Sequence, residues 1–128
     1  NPETIKSMFD RLESVKTQLI NFISEIKMQG KTISGFGAAR AGTTLLSFYD
    51  IGFHLDYLFD DNKTKHEKYS PGDKIKVLPT SQIYNKNPDY LLILAWLHAD
   101  KIINSHQKYL NNNNKFIRIF PEFKIVSN

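Results

Sequence analysis

The stretch from Lys31 to Leu46 constrains the fold more than any other part of this chain of 128 residues. A short apolar run, Thr32 to Phe36, ends in Gly35-Phe36-Gly37, and an amphipathic helical pattern begins at once after it. A strand therefore feeds a helix through a turn tight enough to need glycine. The first N–H groups of such a helix have no partner within it and lie at the positive end of its dipole. That makes an anion site, most often one for phosphate. The competing reading of the same residues is a tight turn that holds no ligand.

Ahead of the turn, residues 3 to 29 read as one long helix. Ile5, Phe9, Leu12, Val15, Leu19, Phe22, Ile23 and Ile26 recur at steps of three and four, with Lys6, Glu13, Lys16 and Glu25 on other faces. Gly30 is a natural stop. At about 1.5 Å per residue the helix spans roughly 40 Å, more than so small a domain needs. A surplus of this kind fits a connection to a preceding domain, and a start at Asn1-Pro2-Glu3 without methionine fits a piece of a longer polypeptide.

After the glycines the pattern alternates. Strands are predicted at Thr32–Phe36, Leu55–Asp60, 75–78, Tyr90–Trp96 and Phe116–Phe120. Helices are predicted over about Ala39 to Asp50, from Pro79-Thr80-Ser81 onward, and from about Ala99 to Leu110, with the asparagine run Asn111–Asn114 as a turn. The fourth strand is apolar on both faces, as a central parallel strand must be. Strands alternating with helices give a three-layer α/β/α, Rossmann-like fold with a mostly parallel five-stranded sheet and a long N-terminal helix. Right-handed crossovers order the strands third, second, first, fourth, fifth, and place the ligand crevice at the carboxyl ends of strands one and four. Residues 1–30 are thus expected as a connecting helix and 31–128 as a single globular unit.

Several classes are disfavoured. The formal charge of +4 is spread along the chain, without a module signature for nucleic acid. The longest apolar run, Tyr90 to Leu97, is too short to span a bilayer, and the start carries no signal peptide. The absence of cysteine excludes a disulfide scaffold and a thiolate zinc site, and suits a reducing cytoplasm. The four histidines, His54, His66, His98 and His106, lack metal-ligand spacing, and no nucleophile-elbow or triad pattern is present. The expected catalytic and metal residues are therefore none.

The candidate binding residues cluster around the glycine turn. Gly35 and Gly37 stand where a dinucleotide fold needs them, but the third glycine position is Arg40, and the next glycine is Gly42. An arginine in the first helical turn sits badly with the dipole unless an anion is near, and its planar fork suits phosphate oxygens. The N–H groups around Ala38 and the hydroxyl of Thr43 are further donors. Asp60, Asp61 and Asn62 close strand two, where an acidic side chain accepts from ribose or sugar hydroxyls; the plainer reading has Asp61 and Asn62 starting a turn. Lys65 and Tyr69 belong to a lysine-rich segment around Ser70-Pro71-Gly72, either a loop folded over a phosphorylated ligand or a solvated surface. Trp96 and His98 end strand four, where an indole can wall a pocket for a base or sugar ring.

Five motifs in this order resemble a known family. They are the run Gly35 to Leu46, then Phe59-Asp-Asp-Asn62, Ser70-Pro-Gly72, Pro88 to Trp96, and Lys115 to Glu122. Together they resemble the C-terminal domain of SAM-dependent sugar C-methyltransferases over nearly the whole chain. The resemblance implies a Rossmann-like domain that helps hold a nucleotide-linked deoxy-ketosugar against a preceding SAM-binding domain of the same polypeptide. The implied partners are a nucleotide diphosphate sugar and that domain, with no nucleic acid and no membrane. S-adenosylmethionine is implied for the full-length protein and no cofactor for this domain, which would be inactive alone. The chain departs from the family pattern at Ala41 (usually lysine), Lys63 (commonly proline), Glu67 (near a glycine) and Leu97-His98 (commonly Asn-Phe), all on the ligand-facing edge.

Two other functions fit the residues. One is an NAD(P)-binding oxidoreductase module with Asp60 or Asp61 on the ribose, against which Arg40 speaks. The other is a degenerate Rossmann domain that binds a protein through the amphipathic Glu3–Gln29 helix.

Overall fold

Tyr90–Ile93 forms a strand with all four residues buried, and Ile33–Phe36 lies parallel beside it, equally buried. These two central strands organise the computed structural model, which describes residues 2–37, 54–61, 75–119 and 122–128, the side chains of residues 2, 3, 8 and 96 excepted. In chain order the elements are α1 (Pro2–Met28), β1 (Ile33–Phe36), β2 (Tyr57–Phe59) and β3 (Lys76–Leu78). A 3-10 turn, Thr80–Gln82, leads into α2 (Ile83–Lys86), followed by β4 (Tyr90–Ile93) and a second 3-10 turn, Trp96–His98. Then come α3 (Ala99–Ser105), α4 (Gln107–Asn111), β5 (Lys115–Arg118) and β6 (Lys124–Val126).

The sheet runs β3-β2-β1-β4-β5-β6. The first five strands are parallel, in the expected order, and β6 is antiparallel to β5. The sheet therefore has six strands, one more than the alternation of strands and helices implies. A chain reversal after β5 brings Val126 opposite Phe116, and so short a returning strand carries no helix to announce it.

Strand geometry sends alternate side chains to opposite faces, and each face has its own core. On the first, Ile33, Leu58, Val77, Leu92 and Ile117 pack with Val15, Leu19, Ile23 and Ile26 of α1. On the second, Phe36, Phe59, Leu91, Ile93 and Phe116 pack with Ile83 of α2, Ala99 and Ile102 of α3, and Tyr109 and Leu110 of α4. The second half of α1 is thus one outer layer of the domain. Its end is a Schellman motif: Gly30, at φ +77, donates to Lys27, and the N–H of Lys31 reaches Ile26. The predicted helix over Ala39 to Asp50 lies outside the described residues.

The amino-terminal edge of the sheet is closed by side chains. Thr32 and Asp89 exchange bonds: the N–H of Thr32 donates to Asp89 Oδ2 at 2.9 Å, and the N–H of Asp89 donates to Thr32 Oγ1 at 3.0 Å. Tyr109 gives its hydroxyl to the carbonyl of Pro88 at 2.7 Å, and Asn114 donates to Asn87 Oδ1 at 2.7 Å. Burial, with Asp89 and Tyr90 adding to it, pushes the Tyr109 phenol well above its ordinary range, so it stays a donor. The Pro88-Asp89-Tyr90 motif therefore sets register at the amino-terminal end of the sheet.

Two expectations are corrected. Strand four stops at Ile93 rather than Trp96, because the carbonyl of Phe36 takes the N–H groups of both Leu94 and Ala95 and the chain then turns. The helix expected from Ala99 to Leu110 is two helices broken at His106, whose backbone leaves the helical region at φ −124, ψ 42.

Candidate functional site

The order of strands puts the topological switch between β1 and β4, and open α/β sheets carry their ligand crevice at the carboxyl edge there. Gly37 stands at its rim. Its φ of +92 is a conformation that side chains disfavour, and a Cβ on it would lie 2.8 Å from Cβ of Ala95. The backbone after β1 is therefore pressed flat against the end of β4. Gly35 is needed for a different reason: a Cβ there would meet Leu58 Cδ2 at 2.6 Å and Leu94 Cδ1 at 3.0 Å within the first core. Just before Gly35, Ser34 is buried with its hydroxyl lacking a hydrogen-bond partner among the described residues.

The N–H of Gly37 is not free. It donates to the carbonyl of Phe59 at 2.7 Å and so extends the pairing of β1 with β2. Amides able to meet an anion must therefore come from residue 38 onward. Ala38, Arg40, Gly42 and Thr43 lie outside the described residues, as do Asn62, Lys65 and Tyr69.

On one side of Gly37, β2 is followed by Asp60, half-buried, its N–H donating to the carbonyl of Leu78 at 2.9 Å. Asp61 next to it has a structural task. Its Oδ1 accepts the hydroxyl of Thr80 at 2.6 Å and the N–H of Thr80 at 3.2 Å, which caps the turn after β3. The sequence offered Asp61 as the start of the turn after β2, whereas its carboxylate holds a turn 19 residues on. On the other side, the Trp96–His98 turn carries exposed Leu97 and His98 past the end of β4, and the backbone of Trp96 lies in the same turn. The fold thus brings Gly37, Asp60 and His98 to a single edge.

One polar pair escaped the sequence reading. His106 Nδ1 lies 2.9 Å from the hydroxyl of Tyr84, and its ring meets Phe36 edge-on at 5.2 Å. Burial lowers the imidazole pKa, and the charge of Asp61 opposes that shift. Lys108 lies over the Tyr84 ring at 5.0 Å. No spacing signalled this pair, since its members sit on α2 and at the α3–α4 break. Among the described residues no group of three or more histidine, cysteine or carboxylate side chains is placed to hold a metal. Nor is any described helix long and apolar enough to cross a membrane.

The model of the C-methyltransferase C-terminal domain matches residues 1–121. The chain belongs to that family. Among curated proteins, the C-methyltransferase NovU of Streptomyces niveus is 32% identical over 116 residues. That match covers 90% of this chain and 28% of NovU, so the chain spans about a quarter of the length of that relative. Among solved structures, UDP-D-quinovosamine 4-dehydrogenase from Vibrio fischeri superposes with a TM-score of 0.53 at 21% identity, covering 76% of this chain and 93% of that one. At that identity the likeness carries the fold alone, and it agrees with the α/β sheet of this C-methyltransferase C-terminal domain.

Proposed function

We propose that this chain is the nucleotide-sugar-holding domain of a SAM-dependent sugar C-methyltransferase. The observation that carries the reading is Gly37: left-handed and fitted against Ala95 beside the switch point of the sheet. In this reading the amides that follow Gly37 meet the ligand, and Arg40 stands three residues on. In the proposed site the N–H groups of Ala38 to Arg40 and the Arg40 guanidinium meet the diphosphate, with Gly42 and Thr43 behind them. Asp60 or Asn62 accepts from ribose or sugar hydroxyls. Trp96 walls the pocket, His98 stands at its rim, and Lys65 and Tyr69 belong to the segment that covers it.

The full enzyme would take a proton from the carbon beside a ketone and pass a methyl group to the resulting enolate. S-adenosylmethionine would supply that methyl group. The sequence holds a single Gly-x-Gly run, which the sugar nucleotide occupies in this reading, so the methyl donor and the base belong to the preceding domain. The cysteine-free composition suits the cytoplasm as its place.

Calorimetry with a panel of nucleotide diphosphate sugars tests the assignment: at least one gives heat, and silence from all of them with the chain folded rejects it. Arg40→Ala weakens that binding by about 1.5–3 kcal/mol, the loss of a charge-assisted bond. An unchanged affinity removes Arg40 from the site. NADH serves as the counter-ligand, since energy transfer from Trp96 to bound NADH would favour an oxidoreductase module instead.

A further inference from the structure

The apolar stripe of α1 is continuous in sequence and only half covered in the fold. Val15, Leu19, Ile23 and Ile26 are buried in the first core. The same face continues toward the amino terminus through Leu12, half-buried, to Phe9 and Ile5, which are 58% and 55% exposed. Strands of three or four residues reach only about 10–14 Å, whereas a helix of 27 residues runs about 40 Å. The sheet therefore cannot cover the first turns, yet their spacing is that of a buried face.

We propose that Ile5, Phe9 and Leu12 form the seat for the part of the polypeptide that precedes this domain in full-length C-methyltransferases. The occupant follows from two quantities. NovU extends well beyond the matched region, which is 28% of its length, and the matched family is by its description a C-terminal domain. The bare apolar surface among the described side chains is also too small for a free partner. With large apolar side chains at roughly 200 Å² each, Ile5 and Phe9 offer on the order of 250 Å², against about 800 Å² per side in a stable complex. A second copy would not be held by so little. A covalently attached domain would, because linkage makes the contact intramolecular at millimolar effective concentration. Lys6, Asp10, Arg11 and Glu13, of mixed sign around the stripe, give the polar rim usual between domains of one chain.

The proposal rests on the functional reading only in taking the chain as part of a longer enzyme, and footprinting separates the two. Hydroxyl-radical labelling is compared between the full-length gene product and the 128-residue chain, with Met28 (89% exposed) as the open reference on the same helix and Leu19 as the closed one. Ile5 and Phe9 label several-fold less in the full-length protein while Met28 is unchanged; equal labelling overturns the proposal. Phe9→Asp leaves the unfolding midpoint of the 128-residue chain unchanged, and in the full-length protein it restores labelling at Ile5. Sedimentation as a stable dimer by the 128-residue chain also overturns it, in favour of a second copy. Sugar-nucleotide heat with an open footprint sinks the docking surface alone, and protection without such heat sinks the ligand reading alone.

Discussion

Among the described glycines, Gly37 is the one at which conformation and contact both forbid a side chain. Gly37→Ala is expected to cost about 2–4 kcal/mol, from a left-handed backbone plus overpacking on Ala95. Urea unfolding measures this, and a loss below about 1 kcal/mol would show that the turn tolerates a Cβ. His106 makes the second prediction at this scale. Burial holds its folded-state pKa below the ordinary value, so the unfolded chain binds the proton more readily. The contribution of the neutral ring is present above the unfolded value near 6.5 and is lost as pH falls through the folded one. Between pH 7.5 and 5 the urea midpoint therefore drops further for the native chain than for His106→Gln, and equal slopes would reject this. The need for glycine at 37 was legible in the sequence. The pairing of His106 with Tyr84 was not, since it depends on where two helix ends meet over Phe36.

Among the elements, the turn after β3 shows how a local signal can be completed from afar. Pro79-Thr80-Ser81 announced a helix start, but the capping carboxylate is Asp61, from the end of β2. Asp61→Ala is expected to lose about 1 kcal/mol, the usual worth of an N-terminal cap. The double change with Thr80→Val should cost little more than the single one, and additive losses in a double-mutant cycle would dissolve the link. Periodicity found the long first helix and all five parallel strands within a few residues. It failed at the α3–α4 break because residues on either side of His106 keep helical spacing, and at β6 because a strand of three residues has too few alternations to register.

For the molecule as a whole, the long first helix mattered more than its description as a connector implied. Its second half is a structural layer: Leu19 is fully buried between α1 and the sheet. Leu19→Ala is therefore expected to destabilise the entire domain by about 2–5 kcal/mol in a single cooperative transition. A separate early transition, or a loss under about 1 kcal/mol, would show α1 to be an appendage.

The sequence by itself determined the alternation of strands and helices, the crossover order, the glycine turn and the family, because periodicity and backbone sterics are local and a family match reads residues in order. The tertiary structure alone decided which polar groups are taken up within the fold. It spent the Gly37 amide on Phe59 and the Asp61 carboxylate on Thr80, while leaving Phe9 bare. Hydrogen-bond partners and covered faces are set by segments that meet only when the sheet closes, and no spacing along the chain records them.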